Sequence, residues 1–231
     1  MIKFVFLDLD DTILDFHRSE ANAIRRTLRA LSGQEPSDAT VKRYSEINDA
    51  QWKRLELGEL TAEEVKLVRF ALLFRELGWE LSPTAARDTY EEFLSEGHDV
   101  FDGAMAFLER LSERYPLYLA SNGAPMMQRR RIADAGIDCF FREIFISGEL
   151  GAVKPQRAFF DACFARIPQF APQEGIILGD SLTSDIQGGR DAGMHTCRFN
   201  PQRIPGCADI VPEFEIAHYD AFFEILDSLQ H

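Results

Sequence analysis

Cysteine is scarce in this chain and follows no pattern. Its four copies, Cys139, Cys163, Cys197 and Cys207, form no CxxC pair and share no zinc-like spacing with the five histidines. A disulfide-stapled scaffold is therefore excluded, and reduced thiols in a cytoplasmic protein are the expectation. Long apolar runs are absent too. No stretch reaches the roughly 18 residues of a membrane span, and the run over residues 2–7 meets Asp8 too soon to be a signal-peptide core. Positive charge is in deficit, with 25 Lys+Arg against 38 Asp+Glu and a formal net charge of -13. A field of that sign repels nucleic-acid polymers and anionic membrane surfaces. Internal repeats and low-complexity linkers are also missing.

What the chain does have is an ordinary globular composition: 231 residues, of which 45% are apolar and 27% charged. That length removes roughly 70–75% of the unfolded surface from water, so no staple is required. Short apolar runs recur at residues 2–7, 116–120, 144–146 and 175–178, with weaker ones at 194–199 and 208–211. Segments of helical spacing lie between them, such as Phe107, Leu108 and Leu111, or Phe159, Phe160, Cys163 and Phe164. Phe222, Phe223, Leu226 and Leu229 form a further stripe near the end. Alternation of this kind predicts an α/β fold, a Rossmann-like parallel sheet with helices on both sides. Residues 16–98 break the alternation. They carry helical stripes, including Ile24, Leu28 and Leu31, and Val65, Val68, Leu72 and Leu73. Gly33, Gly58, Gly78 and Ser82-Pro83 punctuate them. The expected organisation is a core of residues 1–15 and 99–231, interrupted by an all-helical cap over residues 16–98.

Four short motifs each follow an apolar run. Asp8-Leu9-Asp10-Asp11-Thr12 places acids at the carboxyl end of a buried strand, the ligand-binding edge of open α/β sheets. Asp8 and Asp10 fall on one side of an extended chain. Two carboxylates so close call for a shared proton or a hard divalent cation. The plainer alternative is an acidic turn with Asp11 or Thr12 capping the next helix. Gly179-Asp180-Ser181-Leu182-Thr183-Ser184-Asp185 repeats the arrangement, and two acidic strand ends converging on one edge suit Mg²⁺. Ser121-Asn122-Gly123 offers a hydroxyl and backbone N–H groups for a phosphate. Lys154-Pro155 offers a point charge, with Pro155 suited to the first position of a helix. Each is weak alone. Together they supply what nucleophilic phosphoryl transfer needs: a carboxylate nucleophile, a second carboxyl for proton transfer, groups for the phosphoryl oxygens and a metal.

On these motifs the sequence resembles the haloacid dehalogenase (HAD) superfamily of phosphohydrolases over its whole length. The helical stretch before Ser121 is similar to that superfamily's helical cap. Ser121-Asn122-Gly123, the region of Trp52 and Gly58, Gly179-Asp180-Ser181, Ser184-Asp185-Ile186 and Gly188-Gly189 are similar to its pyrimidine 5′-nucleotidase branch. The resemblance implies that Asp8 attacks phosphorus to form an aspartyl phosphate, and that Asp10 protonates the leaving alkoxide and then activates water. It implies Mg²⁺ held by Asp8, the Asp10 backbone carbonyl and Asp180, with Asp185 in support. Ser121, Asn122 and Lys154 would bind the phosphate. The implied partner is a small phosphorylated metabolite, a pyrimidine nucleoside monophosphate being favoured over a sugar phosphate. Asp10 argues against dehalogenation, since a halide leaving group needs no proton. No cap lysine among Lys42, Lys53 and Lys66 sits in a pattern suggesting a Schiff base. A phosphomutase or a non-catalytic phosphate-binding module is a weaker alternative. Arg129-Arg130-Arg131 is expected to be a solvated helix face, and Phe16 and Trp52 are expected to pack rather than stack on a base.

Overall fold

The computed structural model describes residues 1–206 and 209–230. Strand β1 (Phe4–Leu7) is followed by four helices, α1 (Phe16–Ser32), α2 (Asp38–Glu56), α3 (Ala62–Leu77) and α4 (Pro83–Ser95). Helix α5 (Ala104–Ser112) then leads to β2 (Leu117–Ser121), α6 (Pro125–Asp134), β3 (Phe141–Ile146), α7 (Ser147–Leu150) and α8 (Arg157–Phe164). Strand β4 (Gly175–Gly179) runs through a π-helical turn, Leu182–Gln187, into α9 (Gly188–Asp191). Strands β5 (His195–Phe199) and β6 (Phe214–Ile216) and helix α10 (Asp220–Ser228) complete the described chain.

All six strands are parallel, in the order β3-β2-β1-β4-β5-β6. This is the α/β Rossmann-like sheet that the alternation predicts. Its side chains divide by the period of two. Val5, Leu7, Leu117, Leu119, Ile176 and Leu178 pack with α5 and α10 through Phe107, Leu108, Phe222 and Leu226. Phe6, Tyr118, Ala120 and Ile177 face Phe159, Phe160 and Cys163 of α8 on the other side. The sheet is therefore apolar on both faces, which is why its strands read as continuous runs rather than alternating ones. Because β1 lies between β2 and β4, the chain changes direction there, and the carboxyl ends of these three strands lie side by side.

Two expectations require correction. The last strand is Phe214–Ile216, not residues 208–211. Cys207 and Ala208 lie outside the described residues, and Val211 is exposed. Strand β6 has only three residues with an acid in the middle, so no apolar run marks it. Its place comes from pairing with Cys197, Arg198 and Phe199. Pro155 does not open a helix either: α8 starts at Arg157, and the Lys154-Pro155 peptide is cis.

Helices α1–α4 close their own apolar cluster, including Ile24, Leu28, Tyr44, Ile47, Phe70, Leu73 and Tyr90. Their ends follow local chemistry. Asp15, Ser37, Thr61 and Ser82 each accept a backbone N–H at the helix starts, and Gly33 and Gly78 end α1 and α3 in the left-handed conformation. The two connections to the sheet pair with each other: Asp15 N–H donates to Asp99 O at 2.9 Å and Phe101 N–H to Ile13 O at 3.0 Å. Among the described residues no helix is long and apolar enough to cross a membrane. Cys139, Cys163 and Cys197 are free thiols.

A polar chain crosses the interior of these helices. Glu20, 1% exposed, accepts from Ser45 Oγ and, at 2.8 Å, from Asn48 Nδ2. Burial pushes its carboxyl up from 4.5 to about 7, against the hydrogen bond from Ser45. An unfolded glutamate releases its proton near pH 4.5 and the folded one near 7, so the folded chain holds the extra proton between. This contribution to stability is thus complete below the unfolded value and is lost as pH rises through the folded one. With E20Q the loss should vanish. In urea unfolding with a chelator present, the difference in stability between E20Q and the parent should move by up to about 3 kcal/mol in favour of E20Q from pH 5 to pH 8. Identical pH slopes for the two chains would refute the assignment.

Candidate active site

The site grows from the three adjacent strand ends. Asp8 follows β1, and its N–H donates to Leu178 O at 2.9 Å, which extends the pairing of β1 with β4 up to the acid. Leu9 is buried, so Asp8 and Asp10 both face the cavity, as the period of two predicts. The chain turns directly after them, with Asp11 at φ 53° and its N–H donating to Leu14 O. The N-cap residue of the next helix is Asp15, not Asp11 or Thr12, although Asp11 Oδ1 also accepts from His17 N in its first turn at 3.2 Å.

Lys154 is the centre of the arrangement. It is 1% exposed, and its Nζ donates to Asp8 Oδ1, Asp185 Oδ1 and Ala120 O, each at 2.6 Å. All three ammonium donors are thus in use. Desolvation would lower its pKa, yet the Asp185 and Asp8 charges outweigh that and hold it above the ordinary value. The Asn122 side chain locks the lysine's backbone: Nδ2 donates to Lys154 O and Oδ1 accepts from Lys154 N, both at 2.9 Å. Both ends of the Asn122 amide therefore serve the lysine rather than an incoming phosphate.

Asp180 follows β4, and Asp185 returns to it from the π-helical turn. Gly179 permits this return, since a Cβ there would lie 2.3 Å from the Asp185 carboxyl. Asp185 Oδ2 accepts from Ser181 N at 3.2 Å, while among the described residues no other residue's donor reaches the Asp180 carboxylate. Oxygens of Asp8, Asp180 and Asp185 lie within 4.8 Å of one another. Burial and then the Asp185 charge push Asp8 and Asp180 well above the carboxylate range. Such a cluster demands more positive charge than one lysine supplies, and an all-oxygen donor set fits a hard divalent cation.

Helix α6 supplies two residues that the sequence did not nominate. Gln128 Nε2 donates to Asp10 Oδ2 and Ser121 Oγ, each at 2.8 Å. Arg131 Nη1 donates to Asp10 Oδ1 at 2.7 Å and to Gln128 Oε1 at 2.9 Å, while its Nε reaches Gly97 O at 2.7 Å. Because Arg131 holds Gln128 Oε1, the Gln128 amide presents its NH₂ to the acid. The solvated face expected for the arginine triplet therefore fits its members unequally. Arg129 pairs with Glu149 at the surface and Arg130 pairs with Asp134, whereas Arg131 is 0% exposed. Gln128 and Arg131 are three residues apart on one helix and so share its inward face. That spacing, directly after the Ser121 loop, was the available signal.

A cavity of about 580 Å³ opens over these groups. Asp8, Asp10, Ser121, Asn122, Lys154 and Asp180 line its sheet side. Asn48, Asp49, Trp52, Lys53, Glu56 and Arg69 of α2 and α3 line the other. Thr183 Oγ1 donates to Glu56 Oε2 across the gap. Phe16 packs on the helical cluster, as expected; Trp52 lines the cavity and belongs to none of the three apolar clusters.

A family model for haloacid dehalogenase-like hydrolases matches residues 2–193. The chain belongs to this family. Among curated relatives it is 38% identical to the HAD-hydrolase YfnB of Bacillus subtilis, over 97% of this chain and 95% of that one. Pyrimidine 5′-nucleotidase PynA of Streptococcus pneumoniae is 34% identical over the same shares, 97% and 95%. Glyceraldehyde 3-phosphate phosphatase of Methanopyrus kandleri is 30% identical over 98% and 97%. A magnesium-bound structure of YfnB superposes with a TM-score of 0.93 at 37% identity, covering 97% of this chain and 98% of that one. In this HAD hydrolase the four sequence motifs do converge on one edge of the sheet, and α6 and the inserted helices complete the cavity.

Removing the ammonium would leave two buried carboxylates facing each other. K154M is therefore expected to lose about 3–5 kcal/mol of stability at pH 8 in the presence of a chelator. Urea unfolding measures this, and a loss below 1 kcal/mol would show that the carboxylates do not depend on Lys154.

Proposed function

We propose that the protein is a Mg²⁺-dependent phosphatase that hydrolyses pyrimidine nucleoside 5′-monophosphates through an aspartyl phosphate. The observation that carries this reading is the pairing of two unlike acids in one cavity. Asp8 is neutralised by a buried lysine, and Asp10 is held separately by Gln128 and Arg131. One is arranged as a nucleophile and the other as a proton carrier. We further propose that helices α1–α4 act as a cap over the cavity, bounded as residues 16–98.

Asp8, the Asp10 backbone carbonyl and Asp180 would hold the cation, with Asp185 supporting them from beneath. When bound, Mg²⁺ supplies charge neutralisation that lets a phosphate dianion approach the acids. Lys154, whose three donors are held by Asp8, Asp185 and Ala120 O, withdraws charge from Asp8 and places a positive charge beside the phosphoryl group, while Ser121 and the backbone N–H groups of the Ser121 loop receive its oxygens. An Asp8 oxygen forms the bond to phosphorus as the phosphorus–ester oxygen bond breaks, and Asp10 gives its proton to the departing alkoxide. Asp10, now a carboxylate, takes a proton from the water that attacks phosphorus. The Asp8–phosphorus bond breaks and inorganic phosphate leaves. Gln128 and Arg131 keep Asp10 on the leaving-group side throughout, and positioning of that kind is a large part of such catalysis.

The nucleotide preference rests on the 34% identity to PynA over nearly the whole chain and on a cavity large enough for a ring beyond the phosphate. A phosphate-release screen with Mg²⁺ tests it, using UMP, CMP, TMP, AMP, ribose 5-phosphate and glyceraldehyde 3-phosphate. Pyrimidine monophosphates should give the highest kcat/KM, and a preference for either sugar phosphate would overturn the nucleotide reading. D8N should release no phosphate above background. D10N should lower kcat/KM, which reports the steps through leaving-group departure, by about 10²–10⁴-fold on UMP and by less on p-nitrophenyl phosphate, whose leaving group needs little protonation. Equal losses on both substrates would remove the acid role of Asp10.

A further inference from the structure

Arg69 of α3 is an unusual residue to find inside a helical insertion. It is 3% exposed, with its guanidinium over the rings of Tyr90 at 4.6 Å, Phe70 at 5.2 Å and Tyr44 at 5.9 Å. No carboxylate touches it among the described residues. Its Nη1 donates to Asn48 Oδ1 at 2.9 Å, and Asn48 passes the interaction on to Glu20 through Nδ2 at 2.8 Å. The other donors are idle. Nε is enclosed with no partner, and among the described residues Nη2 also has none while not being enclosed. Arg69 also forms part of the cavity wall opposite Asp8 and Lys154. A buried charge with unmatched donors is costly. If its purpose were to balance Glu20, direct contact would serve better than an interposed amide. The open Nη2 instead matches an acceptor that enters the cavity.

The rest of the wall narrows the kind of acceptor. Trp52 is half-buried, lines the same cavity and has no aromatic neighbour among the described residues, so its indole offers the cavity a surface on which a flat ring can lie. Leu94 and Phe16 add apolar surface. Lys66 is already paired with Glu63 and Glu91. Asp49 and Glu56 stand on this wall beside Lys53, so apart from Arg69 it offers no net positive charge to a second anionic group on the substrate. An uncharged ring with carbonyl oxygen at its edge satisfies all of these conditions.

We propose that Arg69 is the specificity-determining residue of this site, its open Nη2 donating to the 2-carbonyl edge shared by uracil and cytosine while the ring lies on Trp52. This rests on the nucleotidase reading and deepens it. Asn48 fixes the guanidinium in the required plane, and the interior of the insertion becomes part of the binding site for the base.

The test compares kcat/KM for UMP and CMP with that for ribose 5-phosphate, which carries the same phosphoester and sugar without a base. Parent, R69M, R69K and W52A are measured with Mg²⁺. The parent is expected to favour UMP and CMP over ribose 5-phosphate by at least about tenfold. R69M should reduce that ratio by about 10- to 100-fold, the loss of one or two hydrogen bonds from a charged donor. R69K should reduce it less, and W52A should also reduce it. A parent without preference for the base-bearing substrates would overturn the nucleotidase reading and this proposal with it. A ratio unchanged in R69M, with UMP and ribose 5-phosphate falling equally, would overturn this proposal alone. Should R69M fail to fold, R69K and W52A still decide: the parent's ratio retained in both overturns the proposal.

Discussion

The buried ammonium of Lys154 is the interaction on which the remainder of the site depends. It lies among Asp8 at the end of β1, Ala120 O within β2 and Asp185 beyond β4, so one group joins the three strands at the point where the sheet changes direction. A lysine can act this way only if its backbone is held, because four rotatable bonds would otherwise let the ammonium return to water. The reciprocal bonds with the Asn122 amide supply that hold. The apolar strands below exclude water from the same point, which strengthens each charge contact and makes any unpaired charge expensive. Sheet topology, lysine and acids therefore form a single construction.

A second construction joins the acid chemistry to the inserted helices. Arg131 touches Asp10 and Gln128 with one nitrogen and the Gly97 carbonyl with another. Gly97 immediately precedes the connection that pairs with residues 13–15. The orientation of Asp10 and the path of the chain out of α4 are thus set by one guanidinium. A movement of the helices that displaced Gly97 would be felt at Asp10. Thr183 and Glu56 form a separate contact at the other end of the cavity.

The parts legible in the sequence were those encoded locally. Asp8, Ser121 and Asp180 each stand at the end of an apolar run, and such a run specifies both a buried strand and the position of its end; Lys154 lies farther on, beyond α7. Helix boundaries at Gly33, Gly78 and Ser82-Pro83 were legible for the same reason, since caps act within a few residues. Residues whose roles depend on tertiary approach were not legible. Arg131 is indistinguishable from Arg129 and Arg130 until α6 is placed against Asp10, after which helical geometry buries one of the three. Asn122 reads as part of a phosphate loop, yet its partner lies 32 residues away. Arg69 has no local signal at all, because its meaning comes from Asn48 and from a cavity wall built by another helix. Strand β6 is too short to produce an apolar run and is defined by its neighbour.

Charge links these scales. The chain as a whole carries a net charge of -13, and its catalytic edge gathers further acids into a space where burial penalises them. That looks hostile to a phosphate, but the two facts operate differently. Exposed charges are screened within about 10 Å at moderate ionic strength, so the global excess acts on large polyanions and hardly on a small molecule already in the cavity. Inside, screening is weak and the local sum decides. Asp8, Asp180 and Asp185 gather more acid than Lys154 balances, which raises the proton affinity of Asp8 and Asp180 and makes the cluster suited to a hard cation. With fewer acids the same strand ends would need no buried lysine to join them.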